Sequence, residues 1–157
     1  MHRPFPEDGE PPTVLLFIAS DCPVANGYAP SITAIRRDYA NEGVRFFLVN
    51  VEGKASKAEL LTHANEYELA APILLDHRHK LARRVAATVT PEAVVIRPGG
   101  AIAYRGRIDD RYPDLGVRRP KATTSELRDA LDAVLAGREV AVPAAAAVGC
   151  LIEDWAP

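Results

Sequence analysis

Cys22 and Cys150 are the chain's only two cysteines, and their settings differ enough to suggest different chemistry. Cys22 lies in Ser20-Asp21-Cys22-Pro23-Val24-Ala25, where an apolar run ends and Pro23 suits the first turn of a helix. A thiol at that junction faces unpaired N–H groups and the positive end of the helix dipole, which favour the nucleophilic thiolate. The negative charge of Asp21 opposes ionisation from the other side. Cys150 sits in an alanine-rich, apolar tail 13 residues beyond Gly137. An extended segment of that length reaches roughly 40 Å, enough to cross a domain of this size. The chemistry this permits is attack by Cys22 on a disulfide or peroxide, with Cys150 resolving the mixed disulfide or sulfenic acid. The simpler alternative is that both thiols are buried packing groups.

Other ionisable clusters carry less. Asp76-His77-Arg78-His79 invites a metal reading, but residues two apart do not share a helix face, so no metal is expected. Asp109-Asp110, after Arg105 and Arg107, reads as a solvated face or ion pairs, with no catalytic role. Tyr28, one turn into the helix after Cys22, either lines the sulfur's pocket or packs in the core.

The elements that must position these groups alternate between strand and helix. Val14 to Ala19 is a continuous apolar run of buried-strand length, and a helix from Pro23 to about Tyr39 should be kinked by Pro30. Val44 to Val51 supplies a second strand, parallel to the first through a right-handed crossover. Ser56 and Glu59 form a capping box for a helix to about Tyr67. A short strand at Pro72 to Asp76 and a helix from His77 to Ala87 follow, then Thr90-Pro91. Glu92 to Arg97 and Ala101 to Arg107, joined by Pro98-Gly99-Gly100, read as an antiparallel hairpin. Thr123 or Thr124 caps a last helix running to about Ala136. The division expected is one domain over residues 1–137 and a tail over 138–157 that has no clear period.

The totals set the class. A chain of 157 residues, 48% hydrophobic and 25% charged, fits one α/β domain with a single core. A net charge of −2 offers no basic field for nucleic acid, and no apolar run approaches the roughly 20 residues needed to span a bilayer. The amino terminus has acidic residues and prolines where a signal peptide needs an apolar segment, so the expected location is the cytoplasm.

Cys22, Pro30 eight residues later, and Thr90-Pro91 before the hairpin together resemble the thioredoxin superfamily. That resemblance implies a three-layer α/β/α sandwich with a central mixed sheet, and a cis Pro91 lying against the Cys22 sulfur. It also makes Thr90 and Pro91 substrate-binding residues, with Tyr28 as a further candidate. The extra helix and strand from Ser56 to Leu75, with the TPE and YRGRIDDRY segments, look more like the redoxin branch, related to alkyl hydroperoxide reductase and thiol-specific antioxidant proteins. Bacterial redoxin-like proteins carry similar CPVAN, APS and TPE segments and sometimes a late Gly-Cys. The pattern departs from relatives at three positions: Ala25 replaces the second cysteine of Cys-x-x-Cys, while Leu15 and Ala19 replace a proline and a threonine of typical peroxiredoxins. The function implied is a thiol-disulfide oxidoreductase or antioxidant protein. It would act on protein or small-molecule disulfides or peroxides, be recycled by an external thiol, and need no cofactor. A divergent thiol peroxidase and a non-catalytic binding module are the alternatives.

Overall fold

The computed structural model describes residues 2–152, so the last five residues of the tail lie outside it. The order of elements is β1 (Thr13–Ile18), α1 (Pro23–Gly27), α2 (Ala29–Ala40), β2 (Arg45–Asn50), α3 (Lys57–Glu66), β3 (Ile73–Leu75), α4 (Lys80–Val85), β4 (Val89–Thr90), β5 (Glu92–Ile96), β6 (Ile102–Gly106), α5 (Glu126–Leu135), β7 (Ala144–Ala145) and β8 (Cys150–Leu151). Six strands form the main sheet in the order β3-β2-β1-β5-β6-β7, and β4 pairs separately with β8. β1, β2 and β3 are parallel, while β5 runs antiparallel to both β1 and β6. Every residue of β1 and of β5 is buried, so both faces of the sheet centre are covered, as a three-layer α/β/α thioredoxin-like sandwich requires.

Pro30 divides the first helix as its chemistry demands. It has no N–H to continue the ladder, so the chain ends α1 at Gly27 and restarts as α2 with Pro30 in the first turn. The Ser56–Glu59 capping box is present in full at the start of α3. α2 and α5 are tied together where the Tyr39 hydroxyl donates to Asp132 Oδ1 at 2.6 Å and Arg128 pairs with Asp38 at 2.9 Å.

Three local expectations need correction. The helix expected from His77 begins only at Lys80, because His77 and Arg78 form a turn and His79 takes a left-handed conformation. Asp76 in that turn accepts N–H bonds from Leu81 and Ala82, serving as a helix acceptor. Neither Thr123 nor Thr124 caps α5: Ser125 holds the N-cap position, and the Thr124 hydroxyl turns to Glu126. Asp109 and Asp110 are buried and not a solvated face, although Asp110 makes one of the expected ion pairs, with Arg119 at 3.8 Å. Asp109 accepts the Tyr28 hydroxyl and the Arg111 N–H, and Asp110 accepts the backbone N–H groups of Thr123 and Thr124.

The tail beyond α5 has defined structure as far as Ile152. β7 extends the main sheet parallel to β6, with Arg105 paired to Ala144 and Gly106 to Ala145. A Cβ at position 106 would lie 2.0 Å from the Ala145 carbonyl oxygen, so only glycine permits this contact. The chain then returns across the fold, β8 pairs with β4, and Ile152 is buried in the core.

Candidate active site

The strand-to-helix junction presents Cys22 as the N-cap of α1. Its Sγ accepts the Ala25 N–H at 3.4 Å, the bond that a serine or aspartate would make at an ordinary helix start. Ala25, which replaces a second thiol, therefore contributes its backbone to the sulfur. The turn before Cys22 is held by Glu52, whose carboxylate accepts both the backbone N–H and the hydroxyl of Ser20, at 2.8 and 2.7 Å. Asn50 Nδ2 donates to the same carboxylate, and these bonds outweigh burial to hold Glu52 below the usual carboxylate range. Asn26 adds a second brace, donating to the Ser20 carbonyl at 3.0 Å and meeting His63 Nε2 at 2.8 Å.

The opposite wall is the segment before β5. The Thr90–Pro91 peptide is cis, and the Thr90 carbonyl oxygen lies 3.1 Å from Cys22 Sγ. Glu92 anchors this segment by accepting the N–H groups of Thr88 and Val89, at 2.7 and 3.4 Å. β8 crosses the same segment with Thr90 opposite Cys150. Close approach is possible because the preceding residue is Gly149: a Cβ there would sit 1.9 Å from the Thr90 carbonyl oxygen. Strand pairing thus brings Cys150 beside Thr90, whose carbonyl contacts Cys22, and so close to Cys22 itself; both are free thiols.

The two sulfurs have opposite acid strengths. Burial, the largest influence on Cys22, disfavours its thiolate, and the Thr90 carbonyl favours the protonated form by accepting its S–H. The Cys150 thiol, the Thr90 side chain and the hydrogen bond from the Ala25 N–H together outweigh them and hold Cys22 below the ordinary thiol value. The Thr90 hydroxyl is buried and forms no hydrogen bond, so it acts on the sulfur as a neighbouring dipole. Cys150 is pushed up to about 12 by burial, by its hydrogen bond to Cys22 and by the charges of Cys22 and Asp21. The negative charge of Asp21 therefore bears on Cys150, whereas sequence reasoning placed its effect on Cys22.

Cys22 is 1% exposed, while Cys150 is half-buried and lines a cleft of about 640 Å³ with Glu52, Lys54, His77, Thr90 and Leu151. Tyr28 is buried, its hydroxyl bonded to Asp109 at 2.7 Å and its ring 5.0 Å from that of Tyr112. Among the described residues, no three His, Cys, Asp or Glu side chains come together to hold a metal ion. Also among them, no helix is long and apolar enough to cross a membrane. Glu52, Asn26, Glu92 and Gly149 are the site residues that sequence reasoning missed. The CPVAN, TPE and Gly-Cys segments contained three of them, but Asn26 and Gly149 meet partners far along the chain and Glu92 acts on nearby backbone N–H groups that no side-chain pattern marks.

Residues 7–105 match the model of the AhpC/TSA family, a span that includes Cys22 and Pro91 and stops before Cys150. The chain belongs to the AhpC/TSA family. Among solved structures, this AhpC/TSA chain is similar to an uncharacterized conserved protein of Geobacillus kaustophilus, at 27% identity and TM-score 0.77, covering 94% of this chain and 79% of that one. A hypothetical protein of Sinorhizobium meliloti matches at 24% identity and TM-score 0.80, covering 98% and 91%, and shows the shared fold. A secreted disulfide oxidoreductase of Mycobacterium tuberculosis, described as homologous to E. coli DsbE, matches at 25% identity and TM-score 0.56, covering 80% and 83%. No curated protein matches the chain.

Proposed function

We propose that this AhpC/TSA protein is a thiol-disulfide oxidoreductase that cycles between a Cys22–Cys150 dithiol and the corresponding disulfide. The observation that supports this reading is the β4–β8 pairing, which sets Cys150 opposite Thr90 and so near Cys22, although the two cysteines lie far apart along the chain. A structural thiol needs neither a second cysteine close by nor a glycine that lets the strand carrying it approach Thr90. The similarity to a disulfide oxidoreductase supports the same chemistry.

In the reduced state Cys22 is the more acidic thiol of the pair, its thiolate favoured by the Ala25 N–H and by the Cys150 thiol and Thr90 hydroxyl beside it. Cys150 keeps its proton and is the hydrogen-bond donor. When an external disulfide forms a mixed disulfide with either cysteine, attack by the other expels the second half of the substrate as a thiol and closes the internal disulfide. An external thiol returns the protein to the dithiol, and no cofactor enters the cycle. Disulfides are the favoured oxidants because Ala19 stands where typical peroxiredoxins have the threonine that orients the peroxide.

The test is turnover of a self-quenched fluorescent glutathione disulfide with a dithiol reductant, run for wild type, Cys22→Ala and Cys150→Ala. Both variants should lose turnover while keeping the fold. Full activity in Cys150→Ala would end the two-cysteine reading. Faster oxidation of Cys22 by hydrogen peroxide than by disulfide would favour the peroxidase alternative.

A further inference from the structure

We propose that Cys150, and not Cys22, is the sulfur that external thiols meet: an incoming thiolate attacks Cys150 Sγ of the internal disulfide, and Cys22 leaves. This rests on the two-cysteine reading above and assigns the polarity of its exchange with the outside. The observations are geometric. Cys22 is 1% exposed, enclosed by the α1 start, the Thr90 carbonyl and β8, and it does not line the neighbouring cleft. Cys150 lies on the outer side of the same sulfur pair and opens onto that cleft. Beside it Leu151 is 79% exposed, giving a partner an apolar hold next to the reactive sulfur. A nucleophile arriving through the cleft reaches Cys150 first and can touch Cys22 only if β8 leaves β4.

The electronic arrangement agrees with this access. Exchange is fastest when the departing sulfur is the more acidic thiol, and the hydrogen bonds at Cys22 make it the more acidic of the two. In the first step the external thiolate forms a bond to Cys150 Sγ, the Cys22–Cys150 bond breaks, and its electron pair stays on Cys22 as thiolate. In the second, the other thiol of a dithiol substrate, deprotonated by solvent, attacks the substrate sulfur of the mixed disulfide and releases Cys150, which takes up a proton. The substrate dithiol is oxidised to a disulfide and the protein disulfide is reduced, two electrons moving from one to the other. In reverse, Cys22 thiolate attacks a mixed disulfide held on Cys150. Cys22 is thus the internal nucleophile and Cys150 the external contact, the converse of the roles expected from sequence.

The experiment uses the oxidised full chain. After the Cys22–Cys150 linkage is verified by peptide mapping, a limiting pulse of reduced glutathione is quenched with acid, free thiols are alkylated, and the glutathione adduct is located. Glutathione on Cys150 with alkylated Cys22 is the expected result, and glutathione on Cys22 overturns the proposal. If no internal linkage forms, the proposed function itself fails and this assignment fails with it. A second measurement compares single-cysteine variants reacting with a chromogenic aromatic disulfide. Cys22 in Cys150→Ser should react at least about tenfold more slowly than Cys150 in Cys22→Ser, although it is the more acidic thiol, because access limits it. Equal or faster reaction of Cys22 overturns the proposal.

Discussion

Gly149→Ala separates the sulfur pair without touching either cysteine. The added Cβ would lie 1.9 Å from the Thr90 carbonyl oxygen, 2.7 Å from its carbon and 3.2 Å from Pro91 N, all backbone atoms that cannot swing aside. Restoring ordinary contact moves β8 outward by about 1.5 Å, more than a hydrogen bond tolerates. The bonds at risk are those of the Val89–Leu151 and Thr90–Cys150 pairs and that from the Ile152 N–H to the Thr88 carbonyl, at 3.0 Å. With each worth about 1 kcal/mol net, losing two costs about 2 kcal/mol of preorganisation. That is about a thirtyfold fall in the effective concentration of one thiol at the other, or about 40 mV toward a more oxidising couple. Equilibration in glutathione redox buffers, followed by alkylation and mass spectrometry, reads this directly. A Gly149→Ala protein with wild-type potential would refute the claim that this contact aligns the two sulfurs.

The groups beside Cys22 give a second test: Cys150→Ala and Thr90→Val should each raise the Cys22 pKa, followed by thiolate absorbance or pH-dependent alkylation, and an unchanged titration would count against those groups. Asp110 is held well below the usual carboxylate range, chiefly by the Thr123 side-chain hydrogen bond. Its stabilising effect is present above the unfolded aspartate value of about 3.9 and is lost as pH falls toward the native value. Thermal melts of wild type should therefore lose more stability than those of Asp110→Asn on acidification, and parallel profiles would contradict this. Ser56→Ala removes half of the α3 capping box and should cost about 1 kcal/mol in urea unfolding, with thiol exchange unaffected.

The features legible in the sequence were those set by neighbours along the chain. The apolar run of β1, the Ser56–Glu59 box, the Pro30 break and the glycine-turn hairpin each depend on residues a few positions apart, and each forms. The tail was opaque because β7 and β8 are two-residue strands, too short for a period, and are defined by partners at Arg105–Gly106 and Val89–Thr90. The alternating charges around Asp109 and Asp110 left a solvated face or ion pairs open, and of these only the Asp110–Arg119 pair forms, because both carboxylates are buried. Their actual partners, Tyr28 and Thr123, are brought in by the fold from 81 and 13 residues away. At the site, Cys22 stood out from its local setting, whereas Glu52, Glu92 and Gly149 act through backbone groups that no local motif marks.

The claim on which everything else depends is that Cys22 and Cys150 form one redox pair. Mild oxidation of the full chain at low concentration, followed by non-reducing peptide mapping, tests it most directly. The expected result is a monomer that has lost both free thiols and yields a single Cys22–Cys150 linked peptide, released by dithiol. Two unlinked thiols, or only linkages between separate chains, would contradict it.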